Sequence, residues 1–123
     1  MKIFDSNLVI YSSLDKYQEL RPLITASGVF VSAVTRVETL GYHQLAAEDK
    51  AYFEAFFETA SIIPITDSVI DKATELRQQK KMSVGDAIIA ATALLNDLEL
   101  YTNNTKDFAH IAGLMVVNPL DIS

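Results

Sequence analysis

Four acidic residues stand at corresponding places along the sequence, each near the end of a predicted strand or the start of the helix after it. Asp5 ends the first predicted strand, and Glu38 lies within two turns of the helix that follows the second. Asp86 lies in the first turn of a later helix, and Asp107 comes just after a strand that ends at Thr102. Because ligands of open parallel sheets bind beyond the carboxyl ends of the strands, we expect these acids to converge on one edge.

A pocket lined by carboxylates has a definite chemistry. The carboxylates repel one another, so their pKa values rise unless cations compensate the charge. A hard divalent cation removes that penalty, and Mg²⁺ in particular binds carboxylate oxygens while sharing its site with substrate phosphates. Metal sites of this kind activate water and stabilise the leaving oxygen in phosphodiester cleavage.

Three of the acids also have a purely structural explanation at a helix N-terminus. Ser83 and Asp86 form a pattern similar to a capping box, in which an acid in the first turn favours the helix. Asp107 stands in the same relation to Asn104, and Asp5 could cap the helix that follows it. For each acid taken singly, both explanations remain open.

Glu38 has a different structural explanation. A solvated acid is ordinary at the edge of an apolar helix face, and such a face is predicted here from Ala33, Val34, Val37 and Leu40. The four acids together, at equivalent places along the chain, nevertheless favour a shared site.

The elements that must position these acids alternate between strand and helix. Strands are predicted at residues 2–5, 29–31, 61–65, 98–102 and 114–117. Helices are predicted at 6–11, 15–24, 32–42 with Ser32 as the N-cap, 48–59, 66–80, 83–97 and 104–111. This order indicates right-handed βαβ units, hence an α/β fold with a central, mostly parallel sheet of four to five strands and helices on both faces.

Length and composition narrow the class of protein. A chain of 123 residues fits one domain, 1–123, and 50% hydrophobic residues exclude a disordered chain. The absence of cysteine excludes a disulfide framework, a thiolate nucleophile and a cysteine-based metal site. The early carboxylate and the lack of a long apolar run predict no signal peptide, no membrane segment and a cytoplasmic protein.

The net charge of −6 argues against nucleic-acid binding through overall charge. Without the four acids, however, twelve acidic residues face ten basic ones, which leaves only −2. Two bound divalent cations would bring the whole chain to the same value. The predicted surface is therefore nearly neutral once the acidic site is counted with its metals.

Four segments of the sequence resemble the motifs of PIN-domain ribonucleases, in the order and spacing of that family. They are residues 5–11, DSNLVIY; 31–38, VSAVTRVE; 86–93, DAIIAATA; and 102–108, TNNTKDF. The third and fourth are the most specific, and the chain is similar in length to a stand-alone VapC-type toxin. It departs from the family pattern at Asn103, where a basic residue is common, and at Tyr42 and His43.

The resemblance implies a Mg²⁺-dependent endoribonuclease in which Mn²⁺ can substitute. By analogy, the primary metal ligands would be Asp5 and Asp86, completed directly or through water by Glu38 and Asp107. Three polar residues would orient the acids or contact the phosphate: Ser6, Thr102 and Asn104. A co-encoded antitoxin and a homodimer are the partners that the family suggests, besides the RNA substrate.

The same sequence features also admit other functions. A PIN nuclease of RNA processing or decay and a non-catalytic PIN-like module are the alternatives, whereas a receiver domain needs paired N-terminal acids that are absent.

His43 and His110 are expected to be surface or satisfied polar residues. Lys80 and Lys81 either meet RNA phosphates or interact with a helix C-terminus. The aromatic stripe is expected to be core, or else an antitoxin groove: Tyr52, Phe53, Phe56 and Phe57.

Overall fold

A parallel sheet forms the centre of the molecule in the computed structural model, which describes residues 1–120. Its five strands are β1 (Lys2–Phe4), β2 (Val29–Ser32), β3 (Ser61–Ile63), β4 (Glu99–Tyr101) and β5 (Val116–Val117). They lie in the order β3-β2-β1-β4-β5, and every neighbouring pair runs parallel. The predicted α/β class and parallel sheet are confirmed, while residues 121–123 of the predicted domain lie outside the described residues.

Seven α-helices connect and cover the strands within residues 1–120. They are α1 (Ser6–Ser12), α2 (Leu20–Ile24), α3 (Val34–Leu40), α4 (Ala47–Thr59), α5 (Asp67–Gln79), α6 (Val84–Leu95) and α7 (Thr105–Phe108). A 3₁₀ turn, Asp15–Tyr17, precedes α2. Among the described residues, no helix has the length and apolar character needed to cross a membrane.

Helices pack on both faces of the sheet, as predicted. Successive strand residues point to opposite faces. Ile3 and Leu100 therefore join the core beneath α5 and α6, while Phe4 joins the core beneath α1, α2 and α4. Most of the buried residues of α6 are alanine, and the helix packs mainly against α5.

The aromatic stripe of α4 belongs to the second core. Phe53 and Phe56 are buried, and the partly buried Tyr52 and Phe57 pack against the same cluster. The structure therefore agrees with the expectation that the stripe is core. The hydroxyl of Tyr52 also lies 2.8 Å from that of Ser12, which ties α4 to the end of α1.

Proline explains two differences from the predicted elements. The continuous helix predicted at 15–24 is wrong: the chain forms the 3₁₀ turn and then α2, whose early Pro22 is tolerated in a first turn but would break a longer helix. Strand β3 ends at Ile63 rather than residue 65, because Pro64 has no N–H for the ladder.

Two helices and one strand in the C-terminal half of the chain are also shorter than predicted. Helix α6 ends at Leu95, since the chain turns at Asp97 with φ 53° and leaves the helical path. Helix α7 ends at Phe108 and β5 begins only at Val116, with Gly113 at φ 81° in the turn between them.

Helix α3 corrects two further expectations. Ser32 ends β2 instead of occupying the N-cap position, although its hydroxyl still accepts a hydrogen bond from the Val34 N–H at 3.1 Å. The predicted apolar face is also wrong, because Val37 is 68% exposed. The buried positions of α3 are Thr35 and Thr39, and the Thr39 hydroxyl donates to the Thr35 carbonyl, so it is satisfied inside the helix.

Candidate active site at the carboxyl edge of the sheet

The candidate site lies at the carboxyl edge of the two central strands, β1 and β4. From β1 the chain goes to β2 and β3 on one side of the sheet, and then to β4 and β5 on the other. The crevice at such a reversal of strand order is where ligands of parallel sheets bind. Asp5 follows β1 directly and Thr102 follows β4 directly, so both side chains stand at this crevice.

Asp5 is held by hydrogen bonds to both of its carboxylate oxygens. The Thr102 hydroxyl donates to Oδ2, and the backbone N–H of Leu8 donates to Oδ1 at 3.0 Å. The second bond also makes Asp5 the N-cap of α1, so the structural explanation of this acid is confirmed. The carboxylate is only 3% exposed, and its orientation is fixed by its surroundings.

Burial is the main reason why the pKa of Asp5 rises from its ordinary value of 3.8 to about 6. The hydrogen bonds from Thr102 and Leu8 lower it, whereas the negative charges of Asp86 and Glu38 raise it. Three of the four predicted acids are thus close enough to influence one another electrostatically at this edge.

Glu38 is positioned from the start of α1. The Ser6 hydroxyl donates to Glu38 Oε1 at 2.7 Å and lies 2.9 Å from the Thr35 hydroxyl. A hydroxyl has one proton, so with the Ser6 proton directed to Glu38, the buried Thr35 hydroxyl donates to Ser6. Thr35 therefore supports Glu38 through Ser6.

Asp86 enters the site from the first turn of α6. Its backbone N–H donates to the Ser83 hydroxyl at 3.1 Å, as the capping pattern predicted. Burial raises the pKa of Asp86; the Ser83 hydroxyl lowers it, and the charges of Asp107 and Glu38 raise it further. Asp107 is therefore part of the same electrostatic cluster.

Gly85 brings α6 close to Glu38. A Cβ atom at position 85 would lie 2.8 Å from both Cδ and Oε1 of the Glu38 carboxylate, and closer still to Oε2. Only glycine leaves the carboxylate where it stands. Neither Gly85 nor Thr35 was predicted as part of the site.

The loop after β4 carries the remaining residues. The Asn104 N–H donates to the Thr102 hydroxyl at 3.0 Å, and the Asp107 N–H donates to the Asn104 carbonyl at 3.0 Å. The Asn104 and Asp107 side chains are exposed at the start of α7. The Asn104 side chain makes no capping hydrogen bond, so the predicted similarity to the Ser83 cap is wrong.

The two histidines lie apart from this cluster of interacting charges. His43 is exposed beside Tyr42, with ring centroids 5.2 Å apart. Both ring nitrogens of His110 are buried without a hydrogen-bond partner among residues 1–120, which differs from the expected satisfied residue. Neither histidine is among the groups that shift the pKa of Asp5 or Asp86.

The donor set fits a hard divalent cation. The site offers only oxygen ligands, and its negative charges repel one another. No basic side chain compensates them, because the one ion pair within residues 1–120 is Lys72–Glu75, elsewhere on the surface. As placed, no group of three Asp, Glu or His side chains in the described residues is already arranged to hold a metal ion. Metal binding at these acids remains a prediction.

The sequence matches the PIN domain family over residues 2–114, so the chain belongs to this family. Among solved structures it resembles a toxin–antitoxin complex from Klebsiella pneumoniae, with 33% identity, a TM-score of 0.79 and coverage of 99% of this chain and 100% of that one. The FitAcB structure from Neisseria gonorrhoeae has 26% identity, a TM-score of 0.74 and coverage of 99% and 100%.

A third structure, DNA-bound VapBC from Salmonella typhimurium, shares 21% identity with a TM-score of 0.80 and coverage of 96% and 98%, which shows the common fold. A comparison with curated protein sequences gave no significant match. The resemblance to VapC-type PIN proteins drawn from the four motifs is thereby confirmed.

Proposed function

We propose that this protein is a divalent-metal-dependent endoribonuclease and the toxin of a toxin–antitoxin pair. One observation carries the nuclease proposal. Four carboxylates from distant parts of the chain lie at one edge of a PIN-domain sheet, and no basic side chain among the described residues forms an ion pair with them. Family membership and the likeness to the Klebsiella pneumoniae complex support the same conclusion.

In the proposed mechanism the acids would hold Mg²⁺, or Mn²⁺ in its place, with Asp5 and Asp86 as primary ligands and Glu38 and Asp107 completing the site. When bound, such an ion supplies an activated water and charge stabilisation at the phosphate. Thr102 and Leu8 fix the orientation of the Asp5 carboxylate before any ligand arrives. Preorganised orientation of this kind reduces the rearrangement needed during the reaction.

The polar residues have separate tasks in this proposal. Ser6 holds Glu38 through one carboxylate oxygen, which leaves the other available to a cation or its water. The exposed amide of Asn104 stands beside Asp107, where it can contact a substrate phosphate. The half-buried Asp86 and buried Asp5 form the inner part of the site, and the exposed Asp107 and Glu38 form its outer part.

RNA cleavage by the purified chain tests the nuclease proposal. We expect cleavage of single-stranded RNA with Mg²⁺ or Mn²⁺, no cleavage in EDTA, and loss of cleavage in Asp5→Asn and Asp86→Asn. Asp71→Asn is the matched control, because Asp71 is an exposed acid of α5 outside the candidate site. Full activity in EDTA, or in the Asp5→Asn/Asp86→Asn double variant, would contradict the metal mechanism.

The toxin role requires a test in cells. We expect expression to arrest growth and a partner protein from the neighbouring reading frame to reverse the arrest. Harmless expression with persistent RNA cleavage would indicate a nuclease of RNA processing or decay instead, and absence of cleavage with intact RNA binding would indicate a binding module. We also propose a homodimer, as the family resemblance suggests, and light scattering of the chain with and without its partner tests this.

A further inference from the structure

A cavity of about 520 Å³ adjoins the candidate active site, between the end of α5 and the starts of α6 and α7. Two acids of the site line it together with four basic residues: Asp86, Asp107, Arg77, Lys80, Lys81 and Lys106. Four of the ten Lys and Arg residues of the chain thus surround a single cavity.

The charge of this cavity is opposite to that of the rest of the molecule. Four basic and two acidic lining residues give +2, whereas the remaining six basic and fourteen acidic residues of the chain give −8. An anionic polymer is therefore repelled by most of the surface and attracted here. A divalent cation at the acids would make the local charge still more positive.

The basic side chains are available to a ligand. All four are exposed, and none takes part in the one ion pair within residues 1–120, Lys72–Glu75. Arg77 Nε donates to the Met82 carbonyl at 3.0 Å, which orders the loop after α5 and leaves the terminal guanidinium nitrogens for other acceptors.

A structural explanation covers only part of this group. Cations near the end of α5 interact favourably with the helix dipole, which accounts for Arg77 and Lys80. Lys81 lies beyond the helix end, and Lys106 belongs to α7, so the dipole of α5 does not account for them. The convergence of Lys81 and Lys106 with Arg77 and Lys80 around one cavity favours the binding of an anionic ligand.

We propose that this basic cavity binds backbone phosphates of a single-stranded RNA next to the phosphate that is cleaved. Asp86 and Asp107 belong to both the cavity and the acid cluster. An RNA strand bound at the acids therefore extends directly into the cavity. Lysine binds phosphate as a point charge, and the arginine fork adds paired hydrogen bonds. The identity of the ligand rests on the proposed nuclease function.

The test measures RNA binding separately from cleavage. A fluorescent single-stranded RNA is titrated into the Asp5→Asn protein, which keeps the cavity intact, at salt concentrations from 50 to 200 mM. The double variant Lys80→Ala/Lys81→Ala is compared with Lys16→Ala/Lys50→Ala, which removes the same charge from exposed residues outside the cavity, one in the 3₁₀ turn and one in α4.

We expect the cavity variant to flatten the slope of log affinity against log salt by about 1.4, since each lost contact to a single strand contributes about 0.7. Over this fourfold range of salt, the Asp5→Asn protein, which is the parent in this experiment, then loses about sevenfold more affinity than the cavity variant. The control should keep the slope of the parent. Lys106→Gln, in a different element, should flatten the slope by about 0.7.

Equal slopes for the parent and both cavity variants would overturn the proposal, and so would an equal change in the control variant. Thermal unfolding of each variant verifies that it is folded. If the unaltered chain fails to cleave RNA but the cavity variants alone lose RNA binding, the nuclease proposal is wrong and the proposal of RNA binding at the cavity is supported. If the unaltered chain cleaves RNA and the slopes are equal, only the proposal of RNA binding at the cavity is wrong.

Discussion

The hydroxyl of Thr102 donates a hydrogen bond to Oδ2 of Asp5, joining residues 97 positions apart in the sequence. The same hydroxyl accepts the Asn104 N–H at 3.0 Å. One buried side chain therefore connects the end of β1 to the start of the loop that carries Asp107. It also opposes the effect of burial on the pKa of Asp5.

Replacing Thr102 with valine tests this connection. Thr102→Val keeps the shape but removes the donor, so the pKa of Asp5 should rise above its value of about 6. A hydrogen bond to a charged group contributes about 1.5–3 kcal/mol, so we expect kcat/KM at neutral pH to fall about tenfold to a hundredfold. The pH–rate profile should show its acidic limb shifted to higher pH.

Thr102→Ser is the matched control, because serine keeps the hydroxyl. Its profile should remain close to that of the parent protein, with folding verified by thermal unfolding. An identical acidic limb in Thr102→Val and the parent would show that Thr102 does not set the protonation of the reactive carboxylate.

A second prediction concerns the pair Ser6 and Glu38. Ser6→Ala removes the donor to Glu38 Oε1, and we expect a loss of about two- to tenfold in kcat/KM. The loss is smaller than for Thr102 because Glu38 is exposed and water can replace the missing donor. Thr35→Val should act in the same direction through Ser6. The measurement is a double-mutant cycle with Glu38→Ala, which removes the acceptor, combined with calorimetric Mn²⁺ affinity.

The cycle distinguishes positioning from general damage. If Ser6 acts through Glu38, its substitution has little further effect once Glu38 is alanine. Strictly additive losses would indicate that Ser6 contributes in another way, for example by direct contact with the substrate.

The places of Asp5 and Asp86 in the fold were predictable because each is marked by a local signal. Asp5 follows an apolar strand, and Asp86 follows a serine cap, so neighbouring residues alone indicate their place in the fold. Thr35 and Gly85 were missed for the opposite reason. Their importance depends on the approach of α1 and α6 to Glu38, which no local pattern encodes.

The surface shows the same limit of sequence reasoning. Two alternatives remained for Lys80 and Lys81, because their neighbours along the chain suit either a helix end or a phosphate. Only the tertiary structure adds Arg77 and Lys106 to the same cavity. The exposure of Val37 is a further example, since the apolar pattern of α3 gave no sign that threonines occupy its buried side.

A third prediction uses the closeness of Gly85 to Glu38. Gly85→Ala should displace the Glu38 carboxylate, since the new methyl group would occupy its position. We expect lower kcat with stability unchanged or raised by up to about 1 kcal/mol, because alanine is the better helix former. The measurements are cleavage kinetics and thermal unfolding of the same preparations.

The control for Gly85→Ala is the Glu38→Ala background, in which the side chain that would clash is absent. There the substitution should leave the residual activity unaltered. A clear loss of stability in the Glu38-containing protein would mean that the methyl group meets the backbone of α3 rather than the carboxylate of Glu38.

The last prediction concerns the cost of keeping Asp5 ionised inside the protein. An acid whose pKa is 3.8 when unfolded and about 6 when folded destabilises the folded state above pH 6 by about 3 kcal/mol. This destabilisation lessens as the pH falls through 6 and vanishes below 3.8, because the folded protein holds the proton more tightly. Asp5→Asn removes this destabilisation, but asparagine has one acceptor fewer, and a hydrogen bond between neutral groups contributes about 1 kcal/mol.

In EDTA at pH 7.5 we therefore expect Asp5→Asn to be about 2 kcal/mol more stable than the parent protein, with the order reversed near pH 4. Denaturant unfolding of both proteins across this pH range measures the difference. Mg²⁺ should narrow it at pH 7.5, because a ligand that binds only the folded parent stabilises that protein alone. A difference that does not depend on pH would mean that Asp5 is not the buried, proton-retaining carboxylate of the site.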